Sequence, residues 1–238
     1  MARTRLTHTG DTPLIAAVEG LCFAGKSTLI RHLAPLLDAV VAPEYTDLAD
    51  LPPWPPTSQD DVTTALHRLL ELEQGRAADA RARLAHRSTA DGPGIVLLDR
   101  SPLTLIAHEH GMRALNVPAD PAGAAHLYAD AADAASIMTP DVYLYLVVPD
   151  QITAARRAAR GAVAAHLDDP RVRDRIDGLC RTWMAGLPPA RRLVLDATVA
   201  PEDLARIAAG YVRAFDPGSP APPSWRSLAD HAAERAPA

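Results

Sequence analysis

The chain has 238 residues, of which 48% are hydrophobic and 22% charged, with a formal net charge of −5. This length and composition predict one globular domain with a full core and exclude a largely disordered chain. The negative charge argues against nucleic-acid and membrane-surface binding, and the two cysteines exclude a disulfide framework. No apolar run is long enough for a signal peptide or a membrane span, so we expect a cytoplasmic protein with no nucleic-acid and no membrane partner.

Short apolar runs alternate with helical patterns along the chain. The runs predict five buried strands, at residues 14–18, 39–42, 95–98, 142–148 and 192–196. The patterns that follow them predict helices at about 26–38, 60–87, 102–110, 122–136, 151–165, 170–185 and 201–215. Because all-apolar strands alternating with helices are typical of parallel sheets covered on both faces, the predicted fold class is α/β, a five-stranded parallel sheet sandwiched by helices.

The ends of the chain differ in composition from its middle. Residues 1–12 are predicted as a loose tail, and the Pro-rich residues 216–238 as a mobile C-terminal tail. One domain therefore occupies residues 13–215.

A glycine-rich loop follows the first predicted strand and opens the first helix. Its sequence, Glu19-Gly-Leu-Cys-Phe-Ala-Gly-Lys-Ser-Thr28, fits the pattern G-x-x-x-x-G-K-[ST] of a phosphate-binding loop in the expected context. Backbone N–H groups of such a loop wrap a phosphate, its lysine bridges the β- and γ-phosphates, and its serine hydroxyl binds Mg²⁺. We expect ATP and Mg²⁺ to bind through Gly20, Ala24, Gly25, Lys26, Ser27 and Thr28.

Acidic residues follow three of the predicted strands. Glu44 follows strand two, Asp99 ends strand three and Asp196 ends strand five. Ligands of such folds bind at the carboxyl ends of the strands. Asp99 could hold Mg²⁺ together with Ser27, or could cap the next helix. Glu44 could polarise an incoming hydroxyl, or could be a solvated loop residue.

These motifs occur in an order that resembles a known superfamily. The glycine loop, Pro43-Glu44, Asp99-Arg100-Ser101, an arginine-rich helix after strand four and Leu195-Asp196-Ala197 follow successive strands, as in the thymidylate kinase and deoxynucleoside kinase superfamily of P-loop phosphotransferases. The resemblance covers about residues 13–215. It implies a P-loop kinase fold with a lid segment at about 150–168, and an ATP-dependent, Mg²⁺-requiring kinase of a nucleoside or nucleoside monophosphate. A homodimer is a common state of these families.

Two other functions stay open at this point. The acceptor could be the hydroxyl of a small metabolite or antibiotic, because the residues around the acceptor differ from those of the resembled families. Alternatively, the protein could be a P-loop ATPase or nucleotide sensor.

The resemblance also implies roles for individual residues. Glu44 or Asp99 would take the acceptor's proton, Arg100 would help to bind Mg²⁺ and phosphates, and the turn at Asp196 would pack near the adenine. Helical spacing puts Arg156 and Arg160 on one face, where lid arginines neutralise the transferring phosphoryl group. The alternative for these arginines is a solvated basic face.

The residues predicted to bind the acceptor match the resembled families less closely. Arg76 weakly resembles the arginine by which thymidylate kinases grip the acceptor's monophosphate, and Glu73 lies on the same buried stripe. A buried ion pair of Arg76 with Glu73 or Glu71 is the alternative, since buried charges need partners. Tyr45 and Trp54, in the loop after Glu44, could stack on a ring or fix the loop.

The middle of the glycine loop departs from thymidylate kinases. These enzymes commonly have Asp and Gly where this chain has Cys22 and Phe23. A cysteine cannot accept hydrogen bonds as a carboxylate does, and Phe23 adds apolar surface under the lid or beside the acceptor. We therefore predict that dTMP is a poor acceptor.

Overall fold

The strands of the sheet are short and apolar because helices cover both of its faces. The structure, a computed structural model, describes residues 12–50, 55–87, 94–161 and 164–233. Five strands, β1 to β5, span Leu14–Glu19, Val40–Ala42, Ile95–Asp99, Val142–Val147 and Arg192–Asp196. All pair in parallel in the order β2-β3-β1-β4-β5. The predicted five-stranded parallel sheet is therefore confirmed.

The helices follow the predicted order. Helices α1 to α9 span Lys26–Leu37, Gln59–Ala85, Pro102–Met112, Pro121–Asp133, Asp150–Arg160, Ala165–Asp168, Pro170–Gly186, Pro201–Arg213 and Ser227–Ala233. The long helix α2 begins where Ser58 and Asp61 form a reciprocal capping box. None of the described helices combines the length and the apolar character that crossing a lipid bilayer requires.

Side chains of β1 alternate between two hydrophobic clusters. Ala16 and Val18 pack with α1 and α8, whereas Ala17 packs with α2, α3, α4 and α7 on the other face. All three are fully buried. The central strand is thus fixed from both sides, which fixes the position of the glycine loop at its end.

The predicted basic helix 151–165 is two helices. Helix α5 ends at Arg160, and the φ of 95° at the next residue, Gly161, lies in the left-handed region that glycine adopts without strain. The short α6 then packs against α7. Within the described residues, the predicted lid therefore contains α5, the glycine that follows it and the short α6.

The C-terminal segment differs from the predicted mobile tail. Trp225 and Leu228 are buried in the core cluster that contains α4, and Arg226 forms ion pairs with Asp130 and Asp133. Proline content suggested a tail, but a buried tryptophan contributes a large apolar area that offsets the entropy of ordering the chain. The packed part of the chain therefore extends beyond residue 215.

One buried arginine fastens the connection to this segment. The Arg191 guanidinium donates hydrogen bonds to the carbonyl oxygens of Pro220 and Ser219 at 2.5 and 3.0 Å, and lies 5.0 Å from the centre of the Phe215 ring.

Candidate active site

A cavity of about 610 Å³ opens at the carboxyl ends of β1, β2 and β3. The glycine loop forms one wall, the segment after β2 and helix α3 form another, and α5, α6 and α7 close it from above. Its charged lining residues are Lys26, Glu44, Arg100, Glu109, Arg157, Arg160, Asp168 and Arg173. The cavity therefore lies at the edge of the sheet where the site was predicted.

The glycine loop needs glycine where it leaves β1. Gly20 has a φ of 139°, and a Cβ there would lie 2.8 Å from the carbonyl oxygen of Leu146. The Lys26 ammonium donates hydrogen bonds to the carbonyl oxygens of Gly20 and Leu21 at 3.1 and 3.0 Å. Burial, and then the neighbouring Arg100 charge, lowers the pKa of Lys26 to about 8. The glycine loop thus holds the Lys26 ammonium beside its own backbone carbonyl oxygens.

Ser27 and Asp99 meet beside the loop. The Ser27 hydroxyl donates to Asp99 Oδ2 at 3.0 Å, while Asp99 Oδ1 is buried and accepts no hydrogen bond from the described residues. Burial raises the pKa of Asp99, although the Lys26 charge opposes the shift. A hydroxyl and a carboxylate oxygen of this kind are the ligands that Mg²⁺ takes alongside phosphates and water.

Glu44 and Arg100 form an ion pair that lines the cavity. Arg100 Nε donates to the Glu44 carboxylate, and Arg100 Nη1 donates to the Gly20 carbonyl oxygen at 3.3 Å. Burial favours a higher pKa for Glu44, but the charges of Arg100 and Lys26 outweigh it and lower the pKa. Glu44 is therefore a carboxylate at neutral pH, and it faces the glycine loop across the cavity.

Arg100 has an unusual backbone conformation. Its φ of 70° is in the left-handed region, which non-glycine residues seldom adopt. Such strain persists where the surroundings hold the backbone, and it is frequent at functional sites.

A buried carboxylate beneath the site was missed by the sequence reasoning. Glu19, the last residue of β1, accepts hydrogen bonds from the Ser101 amide and hydroxyl at 2.9 and 2.6 Å and from the Thr104 hydroxyl at 2.6 Å. Burial raises its pKa, against the effect of these hydrogen bonds. Glu19 fixes the start of α3 to the glycine loop. The sequence does contain a signal for this role. Glu19 ends an apolar strand, and a buried carboxylate at such a position needs hydrogen-bond donors nearby.

Arg76 and Glu73 form the ion pair that was the alternative to acceptor binding. Arg76 Nη1 donates to Glu73 Oε2 at 2.5 Å, and neither side chain has exposed surface. Arg76 Nη2 lies 3.4, 3.1 and 3.0 Å from the carbonyl oxygens of Ala42, Asp99 and Arg100. The predicted acceptor contact is thus corrected: both side chains lie in the core beneath the cavity, because that face of α2 packs on the ends of β2 and β3.

The two predicted lid arginines have different contacts. Arg156 donates to the carbonyl oxygens of Phe23, Ala24 and Ala197 at 3.1, 2.9 and 2.8 Å and does not line the cavity. The predicted direct role of Arg156 is corrected to one of holding the glycine loop.

Arg160 does line the cavity, with Nη2 at 3.5 Å from the Thr28 hydroxyl. Arg157 lines it as well and pairs with Asp168 at 2.9 Å. Arg157 was not predicted to line the cavity, because the spacing of residues along α5 does not show how this helix is rotated over the cavity.

The remaining predicted site residues differ in whether they line the cavity. Phe23 and Tyr45 line the cavity, but the Tyr45 ring is largely buried, with the Arg76 guanidinium 4.4 Å from its centre. Asp196 is exposed and its carboxylate accepts hydrogen bonds from the Thr198 amide and hydroxyl, so its predicted contact with ATP stays a prediction. Trp54 lies outside the described residues.

Helix α3 contributes lining residues that the sequence did not indicate. Thr104, His108 and Glu109 line the cavity, and His108 Nε2 lies 3.3 Å from His166 Nε2 of α6. Burial, and then the neighbouring His108, lowers the pKa of His166 to about 4. Within the described part of the chain, no group of three or more His, Cys, Asp or Glu side chains could hold a metal ion.

Comparisons with known proteins agree with this geometry. The chain is 30% identical over 203 residues to a thymidylate kinase of Xanthomonas euvesicatoria, a match covering 81% of this chain and 80% of that protein. It is 30% identical over 217 residues to a thymidylate kinase of Xanthomonas campestris, covering 84% and 82%. No protein-family model matches.

Among solved structures, a deoxyadenosine kinase from M. mycoides with bound dATP has the same fold. The TM-score is 0.60 at 14% sequence identity, and the match covers 84% of this chain and 100% of that one. With the sequence relatives, this fold and the phosphate-binding loop identify the chain as a member of the thymidylate kinase family and an ATP-dependent kinase of the P-loop nucleoside and nucleotide kinase superfamily.

Proposed function

We propose that the protein transfers the γ-phosphate of ATP to a nucleoside or a nucleoside monophosphate. The observation that carries the proposal is the meeting of Lys26, Ser27 and Glu44 at one cavity, with Asp99 against Ser27 at its edge. Donor-binding and acceptor-activating groups thus face each other. The names of the relatives, thymidylate kinase and deoxyadenosine kinase, support an acceptor of this class. Cytoplasmic location and a homodimer stay predictions.

The donor phosphates would bind along the glycine loop. Backbone N–H groups at the start of α1 and the Lys26 ammonium would contact the β- and γ-phosphates, and Arg160 approaches from the lid. Ser27 and Asp99 would hold Mg²⁺, because Asp99 Oδ1 is a buried oxygen with no hydrogen bond among the described residues. When bound, Mg²⁺ neutralises charge on the phosphates.

Glu44 would act on the acceptor. When a hydroxyl oxygen forms a bond to the γ-phosphorus, its proton passes to the Glu44 carboxylate while the bond from phosphorus to the ADP oxygen breaks. The lowered pKa of Glu44 keeps it ionised before this step. Lys26 and Arg160 stabilise charge on the phosphoryl oxygens, and the enclosing walls hold both reactants in line.

The test is a panel of nucleosides, nucleoside monophosphates and hydroxyl-bearing metabolites with γ-labelled ATP. We expect label in a nucleotide product, and a rate of label transfer about 10²–10³-fold lower in Lys26→Ala. Transfer only to a non-nucleotide hydroxyl, or ATP hydrolysis unaffected by every acceptor, would contradict the proposal in favour of the two alternative functions.

A further inference from the structure

We propose that the acceptor carries no phosphate of its own, so that the protein phosphorylates a nucleoside hydroxyl. This inference rests on the proposed function and narrows it. It follows from how the cationic side chains around the cavity are already engaged.

Arg76 is the first cationic side chain to consider as a partner for an acceptor phosphate. Its Nη1 contacts Glu73 and its Nη2 contacts three carbonyl oxygens, two of them at the end of β3. Its Nε has no hydrogen bond among the described residues, but the whole side chain has no exposed surface. A phosphate could reach it only by opening the core between α2 and the sheet. Arg76 is therefore a positioning residue, which holds the strained backbone of Arg100 from behind.

The cations that do line the cavity are engaged as well. Arg100 pairs with Glu44, Arg157 with Asp168 at 2.9 Å, and Arg173 with Asp150 at 2.6 Å. Of the lining lysines and arginines in the described chain, that leaves Lys26 and Arg160, and both lie against the glycine loop. These two serve the donor phosphates. Among the described lining residues, a second, doubly charged phosphate would meet only arginines that already have a carboxylate partner.

The negative charge of Glu44 also favours an acceptor without a phosphate. An acceptor phosphate beside this carboxylate would bring like charges together in a partly buried site, which disfavours both. A neutral hydroxyl instead gains a hydrogen-bond acceptor there. Beyond Glu44 the wall is largely apolar, with Leu69, Leu105 and Ile176, and it suits an uncharged ring or sugar.

The main test compares each nucleoside with its own 5′-monophosphate on the unaltered protein. We expect kcat/KM to be at least about 100-fold higher for the preferred nucleoside than for its monophosphate, in line with the cost of an unpaired buried charge. This includes thymidine over dTMP. A preference for monophosphates would overturn the inference but leave the proposed function standing. Transfer to neither class would overturn the proposed function and this inference with it.

A variant separates positioning from phosphate binding. In Arg76→Lys, a positioning role predicts a kcat about tenfold or more lower with the preferred acceptor and an acceptor KM within about threefold of the unaltered protein. A selective rise in KM for monophosphates would contradict it. Arg68→Lys, on the exposed face of the same helix, is the matched control and should change neither constant.

Discussion

The two sides of the cavity are held in place by different means. On the donor side, one continuous segment from Gly20 to Ser27 presents backbone N–H groups and a lysine, fixed by its covalent connection to β1 and α1. On the proposed acceptor side, Glu44 and Arg100 follow two separate strands, β2 and β3, and Arg76 joins the two strand ends from the core. The donor side is thus a local structure, whereas the proposed acceptor side depends on a core side chain, Arg76, that does not line the cavity.

The largest expected effect comes from the core of the acceptor side. In Arg76→Met, Glu73 is left as an unpaired buried charge, so the free energy of unfolding should fall by about 3–5 kcal/mol. Urea denaturation measures it. Removing both charges in Arg76→Met/Glu73→Leu should recover most of the loss. A single variant as stable as the exposed control Arg68→Met would show that the pair is unimportant for the fold.

On the donor side, the expected loss is of activity and not of structure. Lys26→Ala should lower kcat/KM by about 10²–10³-fold, because it removes one preorganised charge on the phosphates. Its melting temperature should stay close to that of Arg31→Ala, an exposed substitution on the same helix. Steady-state kinetics and thermal melts together decide this. If the activity of Lys26→Ala equals that of the control, the loop does not bind the donor as proposed.

The pH dependence tests the donor side without removing a group. Because burial and Arg100 lower the pKa of Lys26 to about 8, the ammonium loses its proton as the pH rises through that value. The kcat/KM of the free enzyme should therefore fall by about tenfold per pH unit above this point. In Lys26→Arg this alkaline decrease should disappear whatever the basal rate, since arginine stays protonated. A flat profile to pH 9.5 would be inconsistent with the lowered pKa.

The smallest effect is expected at the far end of the donor side. Asp196 is exposed and its carboxylate contacts only its own turn among the described residues, so Asp196→Ala should leave the KM for ATP within about twofold. Any contact of this turn with the adenine would then involve its backbone. A tenfold rise in the KM for ATP would instead show a direct role of the carboxylate.

The same contrast explains what could be predicted from the sequence. The strands, the sheet and the glycine loop follow from apolar periodicity and a contiguous motif, and the meeting of Ser27 with Asp99 follows because parallel strands end at one edge. The burial of Arg76 and the rotation of Arg156 away from the cavity depend on how α2 and α5 pack, which spacing along one helix does not determine. The C-terminal helix was missed because Trp225 lies in a Pro-rich segment whose composition suggested a tail.

The most direct measurement of the central claim, that Glu44 activates an acceptor hydroxyl opposite Lys26, is kcat/KM of Glu44→Gln with the preferred nucleoside. We expect a decrease of about 10²–10⁴-fold, the contribution of a general base, with the KM for ATP little changed. Glu71→Gln, on the exposed face of α2, should match the unaltered protein. Full activity of Glu44→Gln would contradict the account.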